Sequence, residues 1–296
     1  MTEKYDAIII GTGQAGPSLA ARLTKEGMRA AIIERKLFGG TCVNVGCIPT
    51  KTLVASARAA YMARRAADFG VSIDGPITVD MKRVKARKDA VVRQSNEGVE
   101  SWLKQMPNLS VYEGHARFES PNSVRVGNDL LEAGKIFINV GARAHVPKMP
   151  GLGEIDYLTN TSMMEVDFLP NHLIVVGGSY IGLEFGQMFR RFGSRVTIIQ
   201  RDGRLIPRDD EDVSAAVKEI MENEGVQVHL TRHARASKSA ATTWRQGWIA
   251  EAVQERWSAR TFYWRLGAVR TPTISVSTRP GSRATRAASS RTILRQ

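Results

Sequence analysis

The pattern of apolar and polar positions near the N-terminus predicts a strand, a helix and a second strand. An apolar run rich in β-branched residues at 5–10 is typical of a buried parallel strand. Apolar residues at helical spacing over 18–27 predict a helix. The next apolar run, at 30–34, predicts a second strand that ends in a carboxylate, Glu34.

The same order of patterns returns in the second half of the chain. An apolar run at 172–176 is followed by a helical pattern at 183–192 and a strand pattern at 195–200. From the first glycine of the intervening turn to the end of the second strand is 23 residues in both copies. Such self-similarity indicates repeated structural units, and the alternation of strands and helices predicts an α/β fold.

A glycine-rich turn separates the first strand of each unit from its helix. The turns contain Gly11, Gly13 and Gly16 in the first copy, and Gly177, Ser179 and Gly182 in the second. Glycines at this spacing allow a tight bend, close approach to a pyrophosphate and packing of helix on strand. The helix N-terminus then offers N–H groups to phosphates. Each unit is predicted to be a Rossmann-like, three-layer dinucleotide-binding domain. The alternative is a tight turn without a ligand.

The residue at the end of the second strand distinguishes the two units. Glu34, eighteen residues past Gly16, can accept hydrogen bonds from ribose hydroxyls. The second copy ends in Gln200 and Arg201, and an arginine there suits a 2′-phosphate. We therefore predict NADPH rather than NADH at the second site. The alternative is that Arg201 is simply a solvated residue after a strand.

The chain has two cysteines, which lie five residues apart within the segment 39–51. Residues five apart in a regular helix are separated by about 7.5 Å of rise, whereas disulfide-bonded Cα atoms lie about 5.5 Å apart. Gly46 can supply the irregularity that brings Cys42 and Cys47 together. Cys47 would lie near a helix N-terminus, where a thiolate is stabilised, with Lys51 one turn on. A redox-active pair is predicted, the alternative being two unrelated reduced thiols.

The net charge of +13 is concentrated in residues 232–296, which hold 13 Lys and Arg against 2 Asp and Glu. This stretch lacks a hydrophobic period and is predicted to be an atypical basic tail, disordered or translated out of frame. The alternative is that arginines with interspersed tryptophans bind nucleic acid or an acidic membrane.

Several compositional features restrict the class of protein. No run of 18 apolar residues occurs, and the N-terminus lacks a secretory signal, so we expect a cytoplasmic protein with no membrane span. A lone disulfide in that compartment is more often catalytic than structural. The scattered His145, His172 and His229 suggest no metal site.

Residues 39–51 resemble the redox motif of the flavin-dependent pyridine nucleotide–disulfide oxidoreductases, which include dihydrolipoamide dehydrogenase, glutathione reductase and mercuric reductase. The resemblance also covers both glycine turns, the segment 138–143 and Glu184, and it ends near residue 231. With Val43, the chain looks closest to mercuric-reductase-like members, with dihydrolipoamide dehydrogenase second.

The resemblance implies two cofactors, FAD and NADPH (or NADH). The residues that would hold FAD are Gly11, Gly13, Gln14, Ala15, Gly16, Glu34, Arg35, Gly40, Thr41, Lys51, Gly114, His115 and Gly141. The residues that would hold the nicotinamide dinucleotide are Gly177, Ser179, Tyr180, Ile181, Gly182, Gln200 and Arg201. Tyr180 would cover the nicotinamide pocket and move aside when NAD(P)H arrives.

The resemblance also implies four catalytic residues. Cys47 would face the flavin as the charge-transfer thiolate, and Cys42 would be the interchange thiol that attacks the substrate. Lys51 would sit near the flavin N5 and pair with Glu184. The implied enzyme reduces a disulfide or a metal ion in the manner of mercuric reductase. The alternatives are a dihydrolipoamide dehydrogenase, a dehydrogenase without thiol chemistry, and an inactive fragment with a nucleic-acid-binding tail.

The implied domains are an FAD-binding domain at 1–145, an incomplete NAD(P)-binding domain at 146–231 and the basic tail at 232–296. Family members are homodimers with a second FAD segment and a dimerisation domain, and neither is recognisable in this sequence. We therefore expect poor FAD retention. The expected partner is a small-molecule electron acceptor, and neither a membrane nor nucleic acid is expected.

Overall fold

The computed structural model describes residues 2–146 and 151–231, together with the backbone of short strands at 235–236, 250–251, 261–264 and 268–269. Two larger sheets organise these residues, each with helices packed against it.

The first sheet has six strands in the order β3-β2-β1-β6-β5-β4. These strands are β1 (Thr2–Ile10), β2 (Ala30–Glu34), β3 (Leu109–Glu113), β4 (Ala116–Ser120), β5 (Ser123–Val126) and β6 (Asp129–Ile138). β1 pairs in parallel with β2 and β6, and β2 pairs in parallel with β3. β4, β5 and β6 pair antiparallel. The carboxyl ends of β1, β2, β3 and β6 therefore meet at one edge.

The end of β1 from Ala7 to Ile10 is buried on both faces, which explains its continuous apolar sequence. Ile8 packs with Ile33 on one face, and Ile9 packs with Ile32 and Ala20 on the other. The helices of this half are α1 (Ala15–Lys25), α2 (Gly40–Asn44), α3 (Cys47–Arg64) and α4 (Met81–Lys104), with a 3-10 turn at Ala66–Phe69. Strand β2 matches its predicted bounds. Helix α1 begins three residues before the predicted 18–27 because the end of the glycine turn already has helical geometry.

The second sheet is parallel, in the order β10-β9-β8-β13. Its strands are β8 (His172–Val176), β9 (Arg195–Ile199), β10 (Gln227–His229) and β13 (Thr261–Trp264), and its helices are α5 (Tyr180–Phe192) and α6 (Glu211–Asn223). Two 3-10 turns, Leu152–Glu154 and Ser162–Glu165, precede β8. The predicted repeat of strand, glycine turn, helix and strand is confirmed. Helix α5 also starts three residues before its predicted first residue.

One hydrophobic core joins the two halves. Leu53 and Ala57 of α3 and Met81 of α4 belong to the same buried cluster as Phe185 and Phe189 of α5. The two helices α3 and α5 are therefore packed against each other, and the thiol-bearing helix of the first half faces the second strand–turn–helix–strand unit.

Most of the predicted basic tail, 232–296, lies outside the described residues. Its short strands pair as follows: β11 (Arg235–Ala236) with β12 (Ala250–Glu251), β13 with β8, and β14 (Ala268–Val269) with β7 (Arg143–Ala144). The domain bounds 1–145, 146–231 and 232–296 stay predictions.

Among the described residues, no helix is both long enough and apolar enough to cross a membrane.

The shared core yields a prediction about stability. Phe189 is 1% exposed, and its ring meets that of Phe192 edge-on. Phe189→Ala should lower the free energy of unfolding by about 3–5 kcal/mol, since a large cavity would remain. Phe168 is 53% exposed, so Phe168→Ala should change it by less than about 0.5 kcal/mol. Urea denaturation measures both, and equal losses would contradict the assignment of this core.

Candidate functional site

The carboxyl edge of the first sheet collects the predicted FAD-binding residues. Gly11 follows β1, Glu34 ends β2, Gly114 and the exposed His115 follow β3, and Gly141 follows β6. The N–H of Gly114 donates to the carbonyl oxygen of Glu34 at 2.8 Å, which closes this edge beside the acid. In doubly wound sheets, ligands bind in the crevice outside these strand ends.

The first glycine turn is tight because its backbone segments touch. Gly11 has a φ of +104°, and a Cβ there would lie 2.3 Å from the carbonyl oxygen of Asn139. A Cβ on Gly16 would lie 2.3 Å from the carbonyl oxygen of Gly11. Helix α1 therefore starts at the edge of the sheet, and its N-cap Gln14 and first residue Ala15, both exposed, lie at the crevice.

Glu34 reaches back to this turn. Its Oε2 accepts hydrogen bonds from the N–H of Thr12 at 3.1 Å and from the Thr12 hydroxyl at 2.6 Å. Its Oε1 accepts from the N–H groups of Arg35 at 2.8 Å and Lys36 at 2.9 Å. The carboxylate is thus fixed at the end of β2, where a ribose diol would be read.

The segment that carries the cysteines packs directly on the first turn. A Cβ on Gly40 would lie 2.7 Å from Cα of Gly13. Helix α2 contains the exposed Thr41 and then Cys42. A Cβ on Gly46 would lie 2.8 Å from the carbonyl oxygen of Thr41, so the chain doubles back on α2 before α3 begins.

Two asparagines hold this segment in place. Nδ2 of Asn44 donates to the carbonyl oxygens of Phe38 at 2.8 Å and Gly40 at 2.9 Å. Nδ2 of Asn96, on α4, donates to the same Phe38 oxygen at 2.7 Å and to Oδ1 of Asn44 at 3.1 Å. The position of the thiol segment is therefore set by α4 as well as by the glycine turn.

The two cysteines are adjacent free thiols in the structure. Cys42 is half-buried, and Cys47 is exposed as the first residue of α3. Burial raises the pKa of the Cys42 thiol, and the hydrogen bond and like charge of Cys47 raise it further. The N–H groups of Cys47 and Ile48 lower it, but by less. The raised pKa favours the thiol form of Cys42 at neutral pH.

Lys51 links the thiol helix to the second dinucleotide unit. Its Nζ pairs with Oε1 of Glu184 on α5. Cys47 and Lys51 are four residues apart on α3 and share one face of the helix. Below the ion pair, a cleft of about 160 Å³ lies between the two helices. Its lining consists of Lys51, Val54, Ala57, Glu184, Gln187, Met188 and Arg191.

The second glycine turn repeats the first with one change of chemistry. A Cβ on Gly182 would lie 2.1 Å from the carbonyl oxygen of Gly177. Ser179 is buried between them. Gln200 is 6% exposed, and its Oε1 accepts from the N–H of Gly178 at 2.9 Å, as Glu34 accepts from its own turn. The residue that ends the second strand is therefore neutral in this copy.

Tyr180 and Arg201 border the second turn. Tyr180 and the half-buried Ile181 begin α5, and the hydroxyl of Tyr180 donates to Oδ2 of Asp209 at 2.6 Å. The side chain of Arg201 is 75% exposed, with a contact of 3.5 Å from its Nε to Asp202. A guanidinium in this position has N–H groups available to an incoming anion.

Three contributions to the site were missed from the sequence: Thr12, Asn96 and Asp209. Thr12 occupies a variable position of the glycine turn, and Asn96 lies in a helix with no motif. Asp209 falls in an acidic run that leads into α6. Their contacts span 22 to 58 residues, and no local pattern signals them.

Within the described ranges, no group of three or more His, Cys, Asp or Glu is placed to hold a metal ion.

The chain is similar to known proteins over most of its length. The model of the family described as pyridine nucleotide-disulphide oxidoreductase matches residues 5–273, which extends past the predicted end of the resemblance near 231. A probable pyridine nucleotide-disulfide oxidoreductase, RclA, from Escherichia coli is 39% identical over 78% of this chain and 50% of its own length. The chain thus spans half the length of that relative.

Other relatives carry different names. A dihydrolipoyl dehydrogenase of Acholeplasma laidlawii is 34% identical over 77% of this chain and 69% of its own length. A mercuric reductase of Bacillus cereus is 36% identical over 76% of this chain and 35% of its own length. The structure of a Cu(II) complex of the HOCl-induced flavoprotein disulfide reductase RclA from Escherichia coli superposes with a TM-score of 0.76. It is 35% identical and covers 90% of this chain and 57% of that one.

The environment of Cys42 predicts how its reactivity depends on pH. Because its pKa is raised and the thiolate is the nucleophile, alkylation of Cys42 by iodoacetamide should have its midpoint above that of a free cysteine. Cys47→Ala removes a like charge and a hydrogen-bond partner, so the midpoint should move to lower pH. Ala55→Ser, on the exposed face of α3, should leave it unchanged. Peptide mass spectrometry across pH measures the midpoints, and an upward shift in Cys47→Ala would refute this account.

Proposed function

The chain belongs to the pyridine nucleotide-disulphide oxidoreductase family, and from that membership we propose an FAD-dependent NAD(P)H oxidoreductase that uses a Cys42–Cys47 disulfide to reduce a disulfide or a metal ion. The observation that carries the proposal is the close approach of Gly46 to Cys42, where a Cβ on Gly46 would lie 3.1 Å from Cα of Cys42, so that Cys47 follows directly beside Cys42. The thiol segment packs on the first glycine turn, and its helix packs on α5 at the second.

The residues at the first sheet edge fit the ADP half of FAD. The tight glycine turn supports the approach of a pyrophosphate to the start of α1, and the Glu34 carboxylate would accept hydrogen bonds from a ribose. Gly114, His115 and Gly141 complete the crevice. When bound, FAD supplies two-electron transfer between a nicotinamide and a disulfide.

Cys47 is assigned as the flavin-facing thiol because it shares a helix face with Lys51, which points across to Glu184. Cys42 is assigned as the interchange thiol. Two electrons and two protons convert the Cys42–Cys47 disulfide to two thiols. Cys42, as thiolate, then attacks an acceptor disulfide and forms a mixed disulfide, releasing one acceptor thiol. Attack by Cys47 on the mixed disulfide releases the second acceptor thiol and re-forms the Cys42–Cys47 disulfide.

At the second turn we propose NADPH as the preferred nucleotide. The neutral Gln200 avoids the repulsion that a carboxylate would exert on a 2′-phosphate, and the exposed Arg201 offers it a positive charge. Tyr180 stands at the start of α5, where a nicotinamide dinucleotide would enter, and is assigned as the movable cover of that pocket.

The acceptor is proposed to be a metal ion or a disulfide. Similarity to mercuric reductases, and the Cu(II) complex of the Escherichia coli structure, support a metal ion. Similarity to dihydrolipoyl dehydrogenases supports lipoamide as the alternative. We further propose that the protein acts in the cytoplasm and that it is a homodimer. Sedimentation analysis tests the oligomeric state.

Removing either thiol tests the proposed reaction. Cys42→Ser and Cys47→Ser should each lower acceptor turnover on the order of a hundredfold or more, because the covalent route is lost. Reduction of bound FAD by NADPH should persist in both. The assay compares Hg(II), Cu(II), lipoamide and glutathione disulfide in the purified chain supplied with FAD, with Ala55→Ser as the matched control. Unchanged turnover in Cys42→Ser would favour a dehydrogenase without thiol chemistry.

Nucleotide preference is tested at Arg201. Arg201→Ala should raise the dissociation constant of NADPH about tenfold, because a hydrogen-bonded charge on the 2′-phosphate is lost. The dissociation constant of NADH should change little. Arg195→Ala, at the opposite end of β9 and also exposed, should affect neither. Calorimetric titration measures the dissociation constants of NADPH and NADH in each variant and in the unsubstituted chain. Equal weakening of NADPH and NADH binding in Arg201→Ala would refute the preference.

A further inference from the structure

We infer that Thr12 is a positioning residue that couples the adenosine end of the first dinucleotide site to the segment that carries the thiols. The inference rests on the proposed binding of an adenosine diphosphate group at the first glycine turn. It assigns a function to a residue that is not one of the fingerprint glycines.

Thr12 cannot act by touching a ligand. It follows Gly11 in the turn, and the residue is 0% exposed. A dinucleotide in the crevice outside the sheet edge would meet the exposed Gln14 and Ala15, while Thr12 stays beneath the turn. Any influence of Thr12 on the site must therefore pass through the groups that its hydroxyl bonds.

The hydroxyl of Thr12 bonds two separate parts of the site. It donates to Oε2 of Glu34 at 2.6 Å and accepts from the N–H of Gly39 at 3.2 Å. One side of the hydroxyl thus holds the ribose-reading acid at the end of β2. The other side holds the first residue of the 39–51 segment.

The Glu34 carboxylate has four donors around it. Three are backbone N–H groups, those of Thr12, Arg35 and Lys36, which are fixed by the chain. The fourth is the Thr12 hydroxyl, the one donor of the four whose hydrogen rotates freely about its bond. A ribose hydroxyl that donates to Glu34 therefore competes first with the hydroxyl of Thr12. Binding of the ribose would thus weaken or redirect the Thr12 hydrogen bond.

The Gly39 end of the bond is rigid. Gly39 has a φ of +85°, and a Cβ there would lie 2.4 Å from Cγ2 of Val43, so no other residue fits without a shift. Gly39 immediately precedes α2, and Cys42 lies three residues further on. A displacement of the Gly39 N–H is consequently transmitted to α2 and to the sulfur of Cys42.

The experiment measures alkylation of Cys42 by iodoacetamide with and without ADP, which can occupy the adenosine half of the site without a flavin ring near the thiols. Saturating ADP should change the rate constant by a factor on the order of five in the unsubstituted chain. Thr12→Ser keeps the hydroxyl and should keep the effect. Thr12→Val keeps the shape, loses the hydroxyl, and should abolish the effect while still binding ADP.

Each outcome decides the question. If ADP binds the unsubstituted chain but leaves the alkylation rate unchanged, or if Thr12→Val retains the full effect, the coupling is refuted and the dinucleotide site stands. If ADP does not bind at all, the proposed site fails and the inference fails with it. If Thr12→Val does not fold by circular dichroism, the unsubstituted chain and Thr12→Ser decide: loss of the effect in Thr12→Ser overturns the inference, and its retention supports it.

Discussion

The packing of α3 against α5 is the constraint on which the arrangement of the site depends. The first helix carries the thiols and the second begins at the other dinucleotide turn. The contact is held at one end by the ion pair of Lys51 and Glu184. At the other end the guanidinium of Arg64 donates to the carbonyl oxygens of Arg191 and Phe192, where α5 ends. Between the ends lies the shared core. Because burial of that core is non-directional, the polar contacts at the two ends set the register of one helix on the other.

The local parts of this arrangement were readable from the sequence. Strand residues buried on both faces are mostly apolar, so the runs Ala7–Ile10 in β1 and Leu173–Val175 in β8 leave a clear signal. The glycine turns were equally clear, since the contact between Gly16 and the carbonyl oxygen of Gly11 excludes any side chain. What could not be read is the set of long-range polar contacts. Arg64 looks like an ordinary basic residue near a helix end, yet it bonds a carbonyl 128 residues away. Any of several arginines could have filled that role, so no pattern singles it out.

The C-terminal part shows the limit of reasoning from composition. Residues 232–296 are basic and lack hydrophobic periodicity, which predicted an atypical basic tail, disordered or translated out of frame, and this stays a prediction. The family match nevertheless reaches residue 273, and the backbone of β13 adds a parallel strand beside β8. A four-residue strand at the edge of a parallel sheet is too short to produce a period. Composition averaged over 65 residues therefore cannot exclude a short element within them.

The two strand–turn–helix–strand units share a backbone conformation. They differ in the residue near the end of the second strand that accepts hydrogen bonds from the glycine turn. Glu34 and Gln200 both reach back to their own glycine turn, so the residue at this position has a structural role before any ligand arrives. An amide and a carboxylate perform that role equally well because each offers an oxygen acceptor. The residue at this position can therefore be determined by the ligand rather than by the fold. A negatively charged carboxylate suits a ribose diol, and a neutral amide suits a 2′-phosphate. A position that is satisfied internally in both units can change its charge without loss of the fold.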